Sequence, residues 1–318
     1  MIAQLKRAAC RTASATGLFG VSRALSAHLP RILMYHGFCG TDQRFDDCTD
    51  TLTFRRQLAH IKKHYRPAKL SELGRRLAAD EPLPDRTIAI TIDDGYENFA
   101  RFAAPLLAEF DIPATLFVVS DLPDSGQWLW TDKFKYLLAR ANDSIPTTIA
   151  ALKQMTTGDR DEQLADLAAE LNVSIPDHAP ARHALLGWKA LEQLAAGGLV
   201  EIGAHTRNHP ILAHVPSEQA WDQISGSRRA LEQKLAAPVT TFCYPNGKPG
   251  DFLPEQTEMV RKAGFICATA SHIGWVSPAS NRFALPRIGG DGGDMLQFRK
   301  YVDGFEYLQR RAAGIPSA

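Results

Sequence analysis

Two short patterns stand out for the side chains they bring together. Ile92-Asp93-Asp94-Gly95 sets adjacent carboxylates at the end of an apolar run, and His205-Thr-Arg-Asn-His209-Pro210 sets two imidazoles four residues apart. Adjacent strand residues normally point to opposite faces, so both aspartates can reach one pocket only if the chain turns near Gly95. Asp-Asp-Gly is also an ordinary way to leave a strand, and alone it says little. Histidines at i and i+4 lie on one side of a helical turn or compact loop, where they can chelate a divalent ion. Together the patterns give two imidazoles and one carboxylate with coordination positions left open. Such a set suits zinc, and equally ferrous iron, cobalt or nickel. The neighbouring carboxylate can then approach water at the ion.

The elements that must position these groups alternate regularly. Apolar runs at Arg31–His36, Thr87–Asp94, Ala114–Val119, Leu199–His205, Thr240–Tyr244, Phe265–Ala270 and Arg282–Ile288 read as strands. Segments of helical period, such as Phe54–His64, separate most of them. This β-then-α rhythm predicts an α/β fold, a distorted (β/α) barrel of about seven parallel strands. In such a barrel the strand C-termini converge on one face, so His36, the Asp93-Asp94 pair, His205 and Arg287 would meet there. One stretch breaks the rhythm. Between Asp121 and Trp188 no strand is evident and helical period dominates, notably over Asp159–Leu171. It is expected to be a helical insertion, over about residues 121–198, covering the βα-loop face. The expected organisation is a basic helical segment at 1–30, the barrel at 31–290 and a C-terminal helix at 291–318.

Composition narrows the class further. The 318 residues carry 36 Lys and Arg against 35 Asp and Glu, a net charge of +1 that gives no footprint for a nucleic-acid polymer. Five scattered cysteines form no C-x-x-C pair, which argues against both a disulfide framework and a cysteine zinc site, and for a reducing compartment. The N-terminus is basic (Lys6, Arg7, Arg11, Arg23), but its apolar stretches are too short for a signal core or a membrane span. Residues 1–28 suit a basic amphipathic helix, resting on a membrane surface or packed on the domain. The expected location is therefore cytoplasmic, with peripheral contact at the inner membrane surface as an option.

Thr91-Ile-Asp-Asp-Gly95, His205-Thr-Arg-Asn-His209 and Phe242-Cys-Tyr-Pro-Asn-Gly247, in that order, resemble the motifs of the polysaccharide deacetylases of carbohydrate esterase family 4, the NodB-homology family. The resemblance runs from about Arg31 to Arg287. It implies that Asp93 is the catalytic base and Asp94 a metal ligand, with His205 and His209 completing the set and the Thr206 hydroxyl shaping the loop. It implies hydrolysis of an N-acyl group, most simply N-acetyl, from an amino sugar in a polysaccharide, oligosaccharide or precursor. That substrate could be nucleotide- or lipid-linked. A tryptophan often lines the acyl pocket in this family, which makes Trp275 a candidate.

Two departures from the family pattern need other residues to fill them. Where the family commonly has an arginine that pairs with the base, this chain has Cys243. Arg287, in Leu-Pro-Arg-Ile-Gly-Gly, is the natural replacement because its planar fork holds a carboxylate bidentately; a barrel-closing ion pair away from the site is the alternative. Asn246 is expected to offer its backbone N–H to the oxyanion where a tyrosine is usual. The family's late general-acid histidine is also missing, since no histidine follows His272. A barrel is cyclic, so His36 at the end of the first strand can supply it; a structural imidazole hydrogen-bonded at the barrel mouth is the alternative. Met34-Tyr-His36 resembles the exopolysaccharide-type branch, in which this arrangement is permuted. Trp128, Trp130 and Tyr244 are aromatic groups near βα loops and could stack on a sugar or pack in a lid. Alternatives for function are a deformylase or other carbon–nitrogen hydrolase of the same superfamily, an iron-dependent oxygenase and a non-catalytic carbohydrate-binding barrel.

Overall fold

The computed structural model describes residues 2–42, 45, 48–141, 147–292 and 294–315, with side chains described from Arg7. Seven parallel strands close into a barrel: β1 (Arg31–Tyr35), β2 (Thr87–Ile92), β3 (Ala114–Val118), β4 (Val200–Ala204), β5 (Thr241–Cys243), β6 (Cys267–Ile273) and β7 (Leu285–Gly289). Each pairs with its sequence neighbour, and the ring shuts where β1 lies between β7 and β2, in the registers Leu33↔Ile288 and Leu33↔Ile90. Arg66–Pro67 adds a short edge to β2. The distorted seven-stranded (β/α) barrel expected from the sequence is the fold. It is not a β-sandwich, the architecture on which an iron-dependent oxygenase with two histidines and one carboxylate usually builds its site.

Side-chain alternation explains which residues reach the lumen. Leu33, Ile88, Ile90, Ile92, Val200, Ile202 and Phe242 pack outward in one cluster with the surrounding helices. Ile32, Ala89, Phe117, Cys243, Cys267 and Leu285, of the opposite parity, meet Leu70 and Leu73 in a second cluster. The helix Leu70–Ala78 thus plugs the N-terminal end, where Glu201 also binds Ser71 and Thr115 (Oε1 to Thr115 Oγ1, 2.6 Å). Continuing the inward parity towards the strand C-termini gives His36, Asp93, His205, Ser271 and Arg287. The period-two rule that fills the lumen with apolar side chains at one end delivers polar ones at the other.

The segment between β3 and β4 is helical, with helices Trp130–Leu138, Ile149–Lys153, Thr157–Glu170 and Trp188–Ala196. Its first three helices share a separate core of Trp128, Trp130, Phe134, Leu137, Leu152, Leu164 and Leu167. Two helices, Ile2–Ala15 and Leu18–Leu25, precede β1, and two, Met295–Val302 and Phe305–Ala312, follow β7, broken at Gly304. Residues 1 and 316–318 lie outside the described residues.

One expectation is corrected. Cys39 and Cys48 are joined in a disulfide, with Cα atoms 6.0 Å apart. The short parallel strands Gly37–Cys39 and Cys48–Asp50 bring them together, a contact that no cysteine spacing announces. Cys10, Cys243 and Cys267 are free and buried.

Candidate active site and metal centre

The C-terminal mouth of the barrel opens into a cavity of about 350 Å³ whose walls include His36, Asp93, Asp94, His205, His209 and Asn246. The helical insertion covers one side, contributing Thr131, Asp132, Lys135, Ile149, Arg182 and His183. Asp93 leaves β2 with inward parity. Asp94 would point away, but its φ of 76°, followed by 81° at Gly95, turns the chain and swings its carboxylate back into the same cavity. The turn thus begins one residue earlier than Gly95, at a residue that pays conformational strain for its position. Thr206, His209 and Asn246, in the loops beside this cavity, also have positive φ (64°, 62° and 57°).

Asp94, His205 and His209 form the metal-ready group. Asp94 Oδ1 lies 3.5 Å from His205 Nε2 and 3.4 Å from His209 Nε2. Bonds of about 2.1 Å in a tetrahedral site put neighbouring donors roughly 3.4 Å apart, so this spacing suits one divalent ion between them. The ring orientation fits as well. His205 Nδ1 lies 2.7 Å from the Cys243 carbonyl, which can only accept, so Nδ1 carries a proton and Nε2 is the ring nitrogen turned towards Asp94. Burial and the neighbouring His205 ring push His209 down to about 3, which keeps its imidazole neutral. Asp94 is held well below the ordinary carboxylate range: burial opposes ionisation, and the His205 hydrogen bond together with the fields of His209, His36 and His205 outweighs it. Asp93, His205 and Cys243 also offer mutually close donors, but both Asp93 oxygens are already engaged by an arginine.

That arginine is Arg287. Its Nη1 and Nη2 each donate to one oxygen of Asp93 at 2.7 Å, and both side chains are almost fully buried. Nε donates to the Ala270 carbonyl, Nη1 also to Thr91 Oγ1, and Nη2 lies 3.2 Å from Cys243 Sγ. The small thiol at position 243 is what leaves room for the fork to cross from β7. Burial disfavours ionised Asp93, but Arg287 beside it keeps its pKa low.

His36 stands on the other side of Asp93, with Nε2 3.8 Å from Oδ2. Its Nδ1 lies 2.7 Å from Asp291 Oδ2, while Asp291 Oδ1 accepts from the His36 backbone N–H and from Thr49. Burial works against a charged ring here, but Asp291, with Asp93 and Asp94, raises His36 to about 9. Asp291 was not singled out in the sequence. Its signal was available: a carboxylate just beyond the last barrel strand, in Arg287-Ile-Gly-Gly-Asp291.

Asn246 is on the cavity wall with a buried Nδ2 that has no partner among the described residues, and its carbonyl accepts from Ser271. The other aromatic candidates lie behind the wall. Tyr244 stacks on Phe252 at 3.9 Å and donates to the Phe283 carbonyl. Trp275 is buried against Tyr307. Trp128 packs edge-on to Tyr136 in the insertion. Trp130, covered by the Arg160 guanidinium, donates from Nε1 to the His209 carbonyl at 3.3 Å and so braces the histidine loop. A network that the sequence did not reveal joins the insertion to the site. The Tyr96 hydroxyl donates to Asp132 (2.7 Å), Asp132 pairs with His183 (3.2 Å), and Arg182 Nε donates to His183 (2.8 Å).

The polysaccharide deacetylase family model matches residues 80–266, more than half of the chain. The chain belongs to the polysaccharide deacetylase family. Among curated relatives, it is 24% identical over 168 residues to the poly-beta-1,6-N-acetyl-D-glucosamine N-deacetylase of Escherichia coli, a match covering 52% of this chain and 19% of that protein. The aligned part is thus about a fifth of that relative's length. Among solved structures, IcaB from Ammonifex degensii superposes with a TM-score of 0.63 at 16% identity, covering 87% of this chain and 97% of that one. The Streptococcus pyogenes deacetylase PplD, in complex with acetate, gives 0.58 at 18% identity, with coverages of 82% and 92%. The BpsB deacetylase domain from Bordetella bronchiseptica gives 0.55 at 19%, with coverages of 83% and 96%. At these identities the likeness is one of fold.

Proposed function

We propose that this deacetylase-family chain removes an N-acyl group, most simply N-acetyl, from an amino sugar, using one divalent ion held by Asp94, His205 and His209. The observation that carries the reading is the Asp93 carboxylate gripped by Arg287 on one side, with His36 3.8 Å away on the other. A base and an acid of opposite charge flank one reaction volume beside a ligand-ready triad.

Bound there, a divalent cation supplies Lewis acidity for the acyl oxygen and for water; Zn²⁺ is the simplest choice, and Fe²⁺, Co²⁺ or Ni²⁺ have the same donor preferences. Asp93 accepts a proton from the attacking water, and Arg287 keeps it ionised and correctly aimed. The Asn246 backbone N–H stabilises the oxygen that becomes negative as the carbon turns tetrahedral. Protonated His36 donates to the sugar nitrogen as the C–N bond breaks, so the amine leaves neutral. Water adds across the amide, giving a free amino sugar and acetate, or formate if the acyl group is smaller.

The test is acetate or formate release by the purified, metal-loaded chain from oligomeric, nucleotide-linked and lipid-linked N-acyl amino sugars. Asp93→Asn is expected to retain metal by elemental analysis while losing turnover, and Asp94→Asn to lose the metal. Near-normal turnover by Asp93→Asn would remove the base from this scheme.

A further inference from the structure

Among the described residues, the Leu18–Leu25 helix carries an apolar stripe that stands about half exposed. Leu18, Val21 and Leu25 are 47%, 54% and 61% exposed. At about 100° per residue they fall within an arc of roughly 60° on one helix face. The opposite face fixes the helix to the body. Phe19 is fully buried 5.1 Å from Phe305, with the Arg299 guanidinium over its ring, and Arg23 pairs with Asp303 at 3.0 Å. The stripe is therefore held outward rather than left by a loosely attached segment.

Charge identifies what could cover it. Residues 1–41 contain Lys6, Arg7, Arg11, Arg23 and Arg31 and not one Asp or Glu, whereas the remainder of this nearly neutral chain is net acidic. Acidic groups on the adjoining C-terminal helices are themselves paired: Asp294 with Arg7, Asp303 with Arg23 and Arg299, Glu306 with Lys300 and Arg310. Arg11 and Arg311 are exposed. An apolar stripe on a cationic segment matches the interface of an anionic bilayer, where aliphatic side chains enter the acyl boundary and arginines meet lipid phosphates. A second copy of the chain fits less well. Two-fold pairing would set these cations against their equivalents, and three part-exposed side chains fall far short of the roughly 800 Å² per partner of a stable interface.

We propose that the Leu18–Leu25 face, with the basic helix before it, docks this enzyme on an anionic lipid surface. The C-terminal end of this helix lies at the strand N-terminal end of the barrel. Arg31, the first residue of β1, donates to the carbonyls of Ser26 (2.7 Å) and Val302 (3.1 Å), which places both helix ends at the strand N-termini.

The test is flotation of the full chain with vesicles of phosphatidylcholine alone or mixed with phosphatidylglycerol. Binding is expected only to the anionic vesicles and is expected to weaken as salt rises. Leu18→Ser/Val21→Ser/Leu25→Ser is expected to lower partitioning at least about tenfold, with unchanged circular dichroism and unchanged activity on a soluble substrate. Arg11→Glu/Arg311→Glu, which leaves the stripe intact, is expected to weaken binding and flatten its salt dependence. Wild-type protein that stays in the buffer fraction overturns the proposal, as does a folded triple-serine variant that still floats. A wild-type dimer in sedimentation equilibrium that the serine variant dissolves would assign the stripe to a second copy instead. None of these readouts depends on the proposed catalytic assignment.

Discussion

Replacing Asp291 by Asn isolates the group that sets the protonation of His36. The substitution keeps the shape and a hydrogen-bond acceptor next to Nδ1, at present 2.7 Å from the carboxylate, but removes the negative charge. His36 stands at about 9 because of that contact, with Asp93 and Asp94 adding to it. Without the Asp291 charge it should fall back towards the ordinary imidazole value of ~6.5. A cation bound by Asp94 would repel an imidazolium, so the alkaline limb of the wild-type enzyme should lie at or somewhat below 9. If protonated His36 delivers the proton to the leaving amine, kcat/KM falls as pH rises through the His36 value. The Asp291→Asn limb should therefore begin its descent well before the wild-type one, with the two rates converging at acid pH. The assay is acetate release across pH 5.5 to 10, with metal content measured in parallel. Coincident alkaline limbs in an active, metal-replete Asp291→Asn enzyme would refute this reasoning and return His36 to a structural role. Stability should follow the same proton. His36 binds it more tightly folded than unfolded, so its contribution is complete below ~6.5 and is lost as pH rises towards 9. Asp291→Asn should flatten that part of the stability profile.

The other expectations concern the groups around Asp93 and His209. Arg287→Met leaves a buried carboxylate without its cation and is expected to destabilise the fold by about 3–5 kcal/mol, read by denaturant unfolding. Arg287→Lys keeps the charge but not the fork, and should fold better than Arg287→Met while still losing at least about tenfold in kcat; a wild-type rate would show that bidentate geometry is unimportant. Thr206→Val removes the hydroxyl that accepts the His209 backbone N–H at 3.0 Å, and is expected to weaken metal affinity by about 10–100-fold while Thr206→Ser retains it. Equal metal affinity in both Thr206 variants would separate this hydroxyl from the metal loop.

The barrel was legible because its strands are strongly patterned. Thr87–Ile92 alternates residues that pack outward, Ile88, Ile90 and Ile92, with residues that face the lumen, and each of the other six strands overlaps an apolar run of the sequence. Less visible were elements too short to have a period. The paired strands Gly37–Cys39 and Cys48–Asp50 have three residues each, and the bond between Cys39 and Cys48 depends on a tertiary contact that local sequence does not encode. The aromatic residues illustrate a different limit. Residue type marks Trp128, Trp130 and Tyr244 as able to stack on a sugar, but only packing shows that all three are buried in the protein. The insertion's contribution was hidden for the same reason: Asp132 and His183 are 51 residues apart in sequence and meet only when its helices fold.

The site itself was readable to the extent that its residues sit at strand ends, and the closure of the barrel explains why. Strand parity alone places His36, Asp93, His205 and Arg287 in the lumen, and β1 pairs with both β2 and β7. Any group on β7 is thereby one strand from His36 and two from Asp93. An arginine on β5 and an arginine on β7 approach the same carboxylate from different sides of one ring, so the cation can change strands without the carboxylate moving. The exchange has a steric condition. Arg287 Nη2 lies 3.2 Å from Cys243 Sγ, so a long side chain at position 243 would collide with the fork. Cys243 and Arg287 are thus one solution rather than two independent departures, and Cys243→Arg in the presence of Arg287 should overfill the lumen and displace Asp93 rather than strengthen its pairing.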